Sequence, residues 1–381
     1  MEEHIIKDGK SLRLGYTTGT CAAAAAKAAA YMLLIARPVS VVKIKTPKGL
    51  APELEICDIE FNDEYASCSV IKDSGDDPDV TNGTKIFSHI TRIEEGVIID
   101  GGEGIGRVTK EGLDQPVGAA AINSVPRKMI EENVRQICTL AGYDGGLKVV
   151  ISAPDGEALA KKTFNSRLGI IGGISILGTS GIVEPMSEQA LIDTIAAELS
   201  VRKAGGTRHA LLTPGNYGAD FIRDNLRVDP TIPVMISNFV GDALDICRRL
   251  GFEKVLLIGH VGKLIKIAGG MLNTHSKYGD NRMQVIAEAA AAAGANAADL
   301  TRILDCATCD AALQILDEKG LRERVMSDIT GKISRVLAGC AGAGIETGAI
   351  LFSKEYGQIS ETENAGDLLQ YILKDYSGGQ G

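Results

Sequence analysis

Tryptophan is absent and aromatic residues make up only 4% of the chain. That shortage argues against a surface built to stack single-stranded bases, which needs rings in number. Positive charge is also scarce: 40 Lys and Arg face 49 Asp and Glu, for a formal net charge of −9. A general nucleic-acid surface or an anionic-membrane surface is not expected, because both depend on excess basic residues. No apolar run approaches the roughly 20 residues of a membrane span, and the start, MEEHIIKDGKSLRLGY, lacks an apolar signal core. The 8 cysteines are scattered over 381 residues, as expected of reduced thiols in a cytoplasm. Neither a G-x-S-x-G nucleophile elbow nor a G-x-x-x-x-G-K-[ST] phosphate loop is present.

What is abundant is glycine, 45 residues, about 12% against roughly 7% on average. The glycines cluster in named strings, which points to tight turns and close backbone approach. Hydrophobic residues at 45% and charged residues at 23% are ordinary for a globular chain, and the length suggests about two domains. The N-terminal third alternates short strand-like runs (41–46, 54–61, 65–73, 96–100) with turns. An alanine-rich helix is predicted from Thr20 to about Leu34, and a second from Pro126 to Ala141. This reads as an α+β domain over 1–146. From 147 on, apolar strands at 147–154, 209–213, 233–237 and 254–259 alternate with helical segments. That pattern predicts an α/β domain over 147–381 with an open, mostly parallel sheet, whose ligands sit beyond the carboxyl ends of the strands. Helices are expected from Met283 to about Ala338, a last strand at 346–352, and a frayed tail from Asp375.

Several strings carry chemistry. LGYTTGTCAAAAAKAAA (14–30) places Thr17, Thr18 and Thr20 at a helix start, where hydroxyls, free N–H groups and the macrodipole suit an anion; simple capping is the structural alternative. KDSGDDPDVTNG (72–83) gathers Asp76, Asp77 and Asp79, whose mutual repulsion calls for a cation, such as the sulfonium of S-adenosylmethionine, unless the stretch is a surface turn. VIIDGGEGIGRVT (97–109) spaces Asp100, Gly102, Gly104 and Gly106 like a dinucleotide or S-adenosylmethionine loop, but the next stretch is poor helix, so a Rossmann unit is not expected. A glycine-studded segment (167–187) reads as a surface for a flat ligand or as a buried strand pair. GHVGKLIKIAGG and LNTHSKYGDNR place His260, Lys263, His275, Asp280 and Arg282 at or near strand ends. Cys306-x-x-Cys309 lies in helical context without a second pair or a nearby His, so zinc is under-liganded and a thiol oxidoreductase is the weakest reading.

Taken in order, LRLGYTTGTCAAAAAKAA, KDSGDDPDVTNG, GGEGIGRVTKEGL, AINSVPRKMI, TFNSRLGIIGGISILGTSGIVEPMS, LTPGN, SNFVGDAL, GHVGKLIKIAGG and THS…DNR resemble the CbiD family from about residue 12 to 352. Two positions depart from that family's pattern, Asn82 in place of His and Ser124 in place of Pro. The resemblance implies methyl transfer from S-adenosylmethionine to ring carbon C-1 of cobalt-precorrin-5B in anaerobic cobalamin synthesis. Cobalt then enters only as part of an anionic tetrapyrrole substrate, with no metal held by the protein itself. A macrocycle rimmed by carboxylates needs spread-out cations, for which Arg127, Arg167, Lys263 and Arg282 are candidates, with Thr17, Thr18 and Thr20 as further donors. Arg13, Arg107 and Lys110 lie in or beside the same strings. His260 and then His275 are the candidate bases, with Asp77 a further catalytic candidate. Asp76, Asp79, Asp100, Gly102, Gly104 and Gly106 are the candidate cofactor groups. A non-catalytic carrier of the corrinoid intermediate is the alternative function, and association with a second copy is left open.

Overall fold

The computed structural model describes residues 3–7 and 9–377. The chain divides into two compact units, Met1–Glu188 and Gln189–Gly381.

The first unit is built on a five-stranded sheet in the order Cys57–Phe61, Tyr65–Ile71, Lys85–Ile93, Gly146–Ser152, Val97–Gly101. Neighbours are antiparallel except the last pair, which is parallel. Helix Thr18–Ile35 packs on strands Tyr65–Ile71 and Lys85–Ile93 and against helix Ser124–Ala141. Its alanines 22–26 and 28–30 are fully buried. Alanine loses no side-chain entropy in a helix, and its small side chain lets sheet and helix approach closely. By length and composition this 18-residue helix passes for a membrane span, contrary to the expectation that no such run exists; in the structure its sides form the core of the unit.

The boundary expected at 146 moves to 188. Gly146–Ser152 belongs to the first sheet, between Lys85–Ile93 and Val97–Gly101, and has no partner in the parallel sheet of the second unit. The reason is one-sided burial: Leu147, Val149 and Ile151 face the core of the first unit while Lys148 is exposed. That alternation is the mark of a strand wet on one face, not of a fully buried one. The segment 167–187 also stays in the first unit. Its short strands pair elsewhere instead of with each other, Ile170–Ile171 with Arg107–Val108 and Ile182–Val183 with Gly15–Tyr16.

The second unit carries the mostly parallel sheet. Its order is Val234–Met235, His209–Thr213, Lys254–His260, Glu346–Ser353, Gly357–Glu361. All neighbours are parallel except the last edge strand. Alternate residues serve two cores. Leu212, Leu257 and Leu351 pack into the larger cluster, with helices Val240–Arg249, Val261–Ala268, Arg282–Ala292, Cys309–Glu318 and Arg322–Ala341. Leu211, Ile258 and Phe352 pack on the other face, with helices Asn216–Leu226 and Ala365–Ser377. A sheet covered on both faces explains the unbroken apolar runs HALLT and KVLLIG. Asp375 to Ser377 close the final helix; 378–381 lie outside the described residues.

Candidate functional site

In the first unit, the threonine string, the acidic string and the segment 175–186 are drawn into one knot. Thr17 caps the alanine helix by accepting the Thr20 N–H at 3.2 Å. The Thr20 hydroxyl donates to the Gly181 carbonyl at 2.6 Å, and Thr18 accepts the Leu177 N–H at 2.9 Å. The Gly19 N–H donates to the Leu177 carbonyl at 3.0 Å. All three threonines are buried. The threonine hydroxyls expected to meet a carboxylate ligand are engaged here by the chain itself, as capping requires.

The carboxylates are compensated in the same way. Asp76 accepts the Arg13 N–H at 2.7 Å, Asp77 accepts the Met186 N–H at 2.9 Å, and Arg13 pairs with Asp73. Asp79 pairs with the buried ammonium of Lys72 at 2.6 Å and accepts both the N–H and the hydroxyl of Thr81. Burial alone would raise the Asp79 carboxyl; the charge and hydrogen bond of Lys72, with the bonds from Thr81, outweigh it and hold the carboxyl below its ordinary value. A cation is supplied by the chain to Asp79 (Lys72) and to Asp73 (Arg13), while Asp76 and Asp77 are met by backbone N–H groups.

The glycine loop likewise packs protein on protein. A Cβ at Gly104 would lie 1.7 Å from the Ala153 carbonyl oxygen, one at Gly102 2.4 Å from the Ser152 hydroxyl, and one at Gly106 2.4 Å from the Ile170 side chain. No helix follows; Arg107–Val108 is a short strand. Asp100 accepts from Arg107 at 2.7 Å and from the Gly101 N–H at 2.8 Å. The hydrogen bond from Arg107 holds its carboxyl below the ordinary value. Its spacing with the glycines serves a close chain crossing here. The half-buried guanidinium of Arg127 is spent on the carbonyls of Ile122, Ile99 and Ala120 at 2.8, 2.9 and 3.3 Å. Arg167 sits partly buried in the short helix Asn165–Leu168.

In the second unit, polar groups collect at the carboxyl ends of the parallel strands. The chain leaves His209–Thr213 toward one sheet edge, then returns to lay Lys254–His260 on the other side of it. This reversal between Thr213 and His260 is the kind of point where such sheets bind ligands, although Thr213 itself is fully buried. Lys263 reaches across this point, donating to the Pro214 carbonyl at 2.8 Å and to Asn238 Oδ1 at 2.9 Å. Burial lowers its ammonium pKa, with Lys266 adding to the effect. The buried Lys266 holds the following loop through the carbonyls of Gly279 and Thr274, at 3.1 and 3.3 Å. Arg282 pairs with Asp280, whose carboxyl this contact lowers to about 2.

His260 and His275 share one geometry. His260 Nδ1 accepts the Gly262 N–H at 3.1 Å, capping helix Val261–Ala268. His275 Nδ1 accepts the Lys277 N–H at 3.1 Å, capping the turn Ser276–Tyr278. A ring nitrogen that accepts an N–H carries no proton itself, so the neutral ring with this contact has its N–H at Nε2. Burial keeps the His260 pKa below the ordinary histidine value; Lys354 and Arg282 reinforce this and Asp310 opposes it. The nitrogen that would take up a proton in each of these candidate bases is thus engaged by a backbone N–H through Nδ1. The Tyr217 ring, 58% exposed, stands 6.5 Å from the His260 ring, with Lys354 Nζ 3.7 Å above it. Asp310, at the start of helix Cys309–Glu318, is a member of this cluster that the sequence reading missed.

Cys306 and Cys309 do not form a reactive pair. All eight cysteines are free thiols, and burial pushes Cys309 up to about 11. Among the described residues, no group of His, Cys, Asp and Glu is arranged to hold a metal ion.

The chain is a mixed α/β protein with polar groups gathered at the carboxyl ends of a mostly parallel sheet. Comparison with known proteins narrows this. The CbiD family model matches residues 5–185, and that of the CbiD C-terminal domain matches 273–363. A cobalt-precorrin-5B C(1)-methyltransferase of Ruminiclostridium cellulolyticum is 47% identical over 100% of both chains, and one of Alkaliphilus metalliredigens is 48% identical over 98% of both. The crystal structure of a cobalamin biosynthesis protein (cbiD) from Archaeoglobus fulgidus is 30% identical over 72% of this chain and 87% of that one, with a TM-score of 0.39. The chain belongs to the CbiD family.

Proposed function

We infer that this protein is a methyltransferase of cobalamin biosynthesis, moving the methyl group of S-adenosylmethionine to C-1 of cobalt-precorrin-5B. The observation that carries the reading is the end-to-end match, at 47% identity, to a relative named for that activity. The carrier alternative is not favoured, since the matched relatives are named as transferases.

The carboxyl end of the parallel sheet is our choice for the S-adenosylmethionine site. What supports the choice is the gathering there of His260, Lys263 and the largely exposed ring of Tyr217, with Lys354 Nζ 3.7 Å from the ring centroid. S-adenosylmethionine supplies an electrophilic methyl: the S–C bond breaks with its electron pair left on sulfur, and a pair on the ring carbon forms the new bond. What the chain contributes is positioning, which by itself supplies a large part of the rate of a two-reactant step. Lys263 and Lys266 hold the loops at this end of the sheet through bonds to Pro214, Asn238, Thr274 and Gly279.

The test is incubation of the purified chain with methyl-labelled S-adenosylmethionine and cobalt-precorrin-5B. Label in the macrocycle is expected. Unlabelled macrocycle in a mixture where the other pathway steps proceed overturns the reading.

A further inference from the structure

Three hydrogen-bond donors gather without an acceptor at the first turn of helix Asn216–Leu226. Two are the N–H groups of Asn216 and Tyr217, which meet no acceptor among the described residues. The bonds of that turn begin with Gly218 and Ala219, both given to the Gly215 carbonyl. The third is the hydroxyl of Thr213. That residue is fully buried, and its Oγ1 is sealed from solvent without a partner. The hydroxyl is aimed at the helix start: it fills the notch of Gly218, where a Cβ would lie 1.7 Å from Oγ1.

Packing does not call for this arrangement. Valine has nearly the shape of threonine and no hydroxyl to bury, whereas a buried hydroxyl without a partner costs stability. Nor is the helix start answered in the ordinary ways: it has neither a side-chain cap nor an acid in its first turn. Gly215 leads into it at φ 137° and ψ 179°, a conformation reserved for glycine. A Cβ built on Gly215 would meet nothing within 4 Å, so the space before the helix is open. Asn216 and Tyr217 are both exposed to it.

The cations beside this turn lack a counter-ion. Lys263 Nζ lies 2.8 Å from the Pro214 carbonyl and 2.9 Å from Asn238 Oδ1, both neutral. Lys354 Nζ stands 3.7 Å from the ring centroid of Tyr217, the second residue of the helix. Among the described residues neither ammonium forms an ion pair. A positive helix end, N–H groups without acceptors, a stranded hydroxyl and two such ammonium groups together suit an anion. A carboxylate, with two oxygens that only accept, can take N–H groups and an ammonium at once.

We propose that the first turn of helix Asn216–Leu226, together with Lys354, binds a carboxylate. This rests on the placement of S-adenosylmethionine at the sheet end in the proposed function, and it names the groups that hold one end of a ligand there. Under that reading two molecules bring carboxylates: S-adenosylmethionine through its amino-acid end, and the macrocycle through its rim. The chemistry of recognition is the same for both. The turn and Lys354 take no part in bond making; they orient the molecule they hold.

Calorimetric titration of the full chain with S-adenosylmethionine, with decarboxylated S-adenosylmethionine and with cobalt-precorrin-5B tests this. Lys354→Met removes the ammonium from an exposed position. Asn216→Pro removes one N–H at the first helical position, where proline is well tolerated. Both variants should keep the wild-type melting temperature without ligand. If the carboxylate is that of S-adenosylmethionine, the wild type binds it at least about tenfold more tightly than the decarboxylated form, which is about 1.4 kcal/mol. Each variant then narrows that gap at least about threefold, by weakening S-adenosylmethionine and not the decarboxylated form. If the carboxylate is the macrocycle's, both variants keep their affinity for S-adenosylmethionine and lose at least about threefold for cobalt-precorrin-5B. Unchanged affinity of both variants for both ligands overturns the proposal and leaves the functional reading in place. So does an equal loss for S-adenosylmethionine and its decarboxylated form with macrocycle binding unchanged. A wild type that binds neither S-adenosylmethionine nor cobalt-precorrin-5B brings down the functional reading and the proposal with it.

Discussion

Lys72 and Asp79 are joined by an ion pair of 2.6 Å in which the lysine side chain is only 1% exposed. Breaking a buried pair by removing one partner costs about 3–5 kcal/mol, because the other charge is stranded. Asp79→Asn should fall in that range by urea denaturation. The folded carboxyl titrates below its ordinary value, so its contribution is complete above the unfolded pKa of about 3.9 and is lost as the pH falls through the lower folded value. Wild-type stability should drop across that acid window and Asp79→Asn should show less of the drop.

Thr18→Val removes the acceptor of the Leu177 N–H in a buried site. Stranding that group should cost about 1–3 kcal/mol, while methyl transfer per folded molecule stays within about twofold. A tenfold loss of activity at unchanged stability would return the threonine to the ligand-binding groups.

His260→Asn separates a donor from a base. Asparagine can cap the helix with its oxygen and still present N–H groups, but cannot take up a proton. Activity is expected to remain within about tenfold of wild type, whereas loss of a general base typically costs about 10²–10⁴-fold. Because burial depresses the imidazole pKa, the capping interaction holds at neutral pH and is lost as the pH falls through the folded value, below about 6.5. An NMR titration of the imidazole that places its pKa above 6.5 would contradict the assignment.

Gly104→Ala must place a methyl group 1.7 Å from the Ala153 carbonyl oxygen, at a backbone φ of +71°. The left-handed conformation costs about 1–2 kcal/mol and overpacking about 1–3 kcal/mol more. A fall in melting temperature with unchanged affinity for S-adenosylmethionine is expected; weakened affinity in a fully stable variant would restore the loop as a cofactor site.

The parts of the fold that were legible in the sequence are those whose signals are local. The alanine run with threonines before it predicts helix Thr18–Ile35 to within two residues at its start and one at its end, and the runs HALLT and KVLLIG announce strands buried on both faces. Strand Lys85–Ile93 went unread because its inward residues, Ile86, Ser88 and Ile90, include a serine that dilutes the alternation. The site was less legible because compensation is long-range. Asp76 is answered by Arg13 and Asp77 by Met186, partners that spacing cannot reveal. The capping role of His260 is a two-residue relationship and lies within reach of sequence reasoning; the unpaired hydroxyl of Thr213 is visible only in three dimensions.

The strand Gly146–Ser152 determines where this chain can be divided. A fragment ending at 146 would lose the strand that joins Lys85–Ile93 to Val97–Gly101, and with it the segment that holds Thr18 and Thr20. The complementary fragment would begin with a sticky, half-greasy ribbon and no neighbour to zip onto. A cut after Glu188 leaves each sheet whole. Whether a protease, a gene fission or an engineer makes the break, that seam is the one that yields two pieces able to fold without each other's strands.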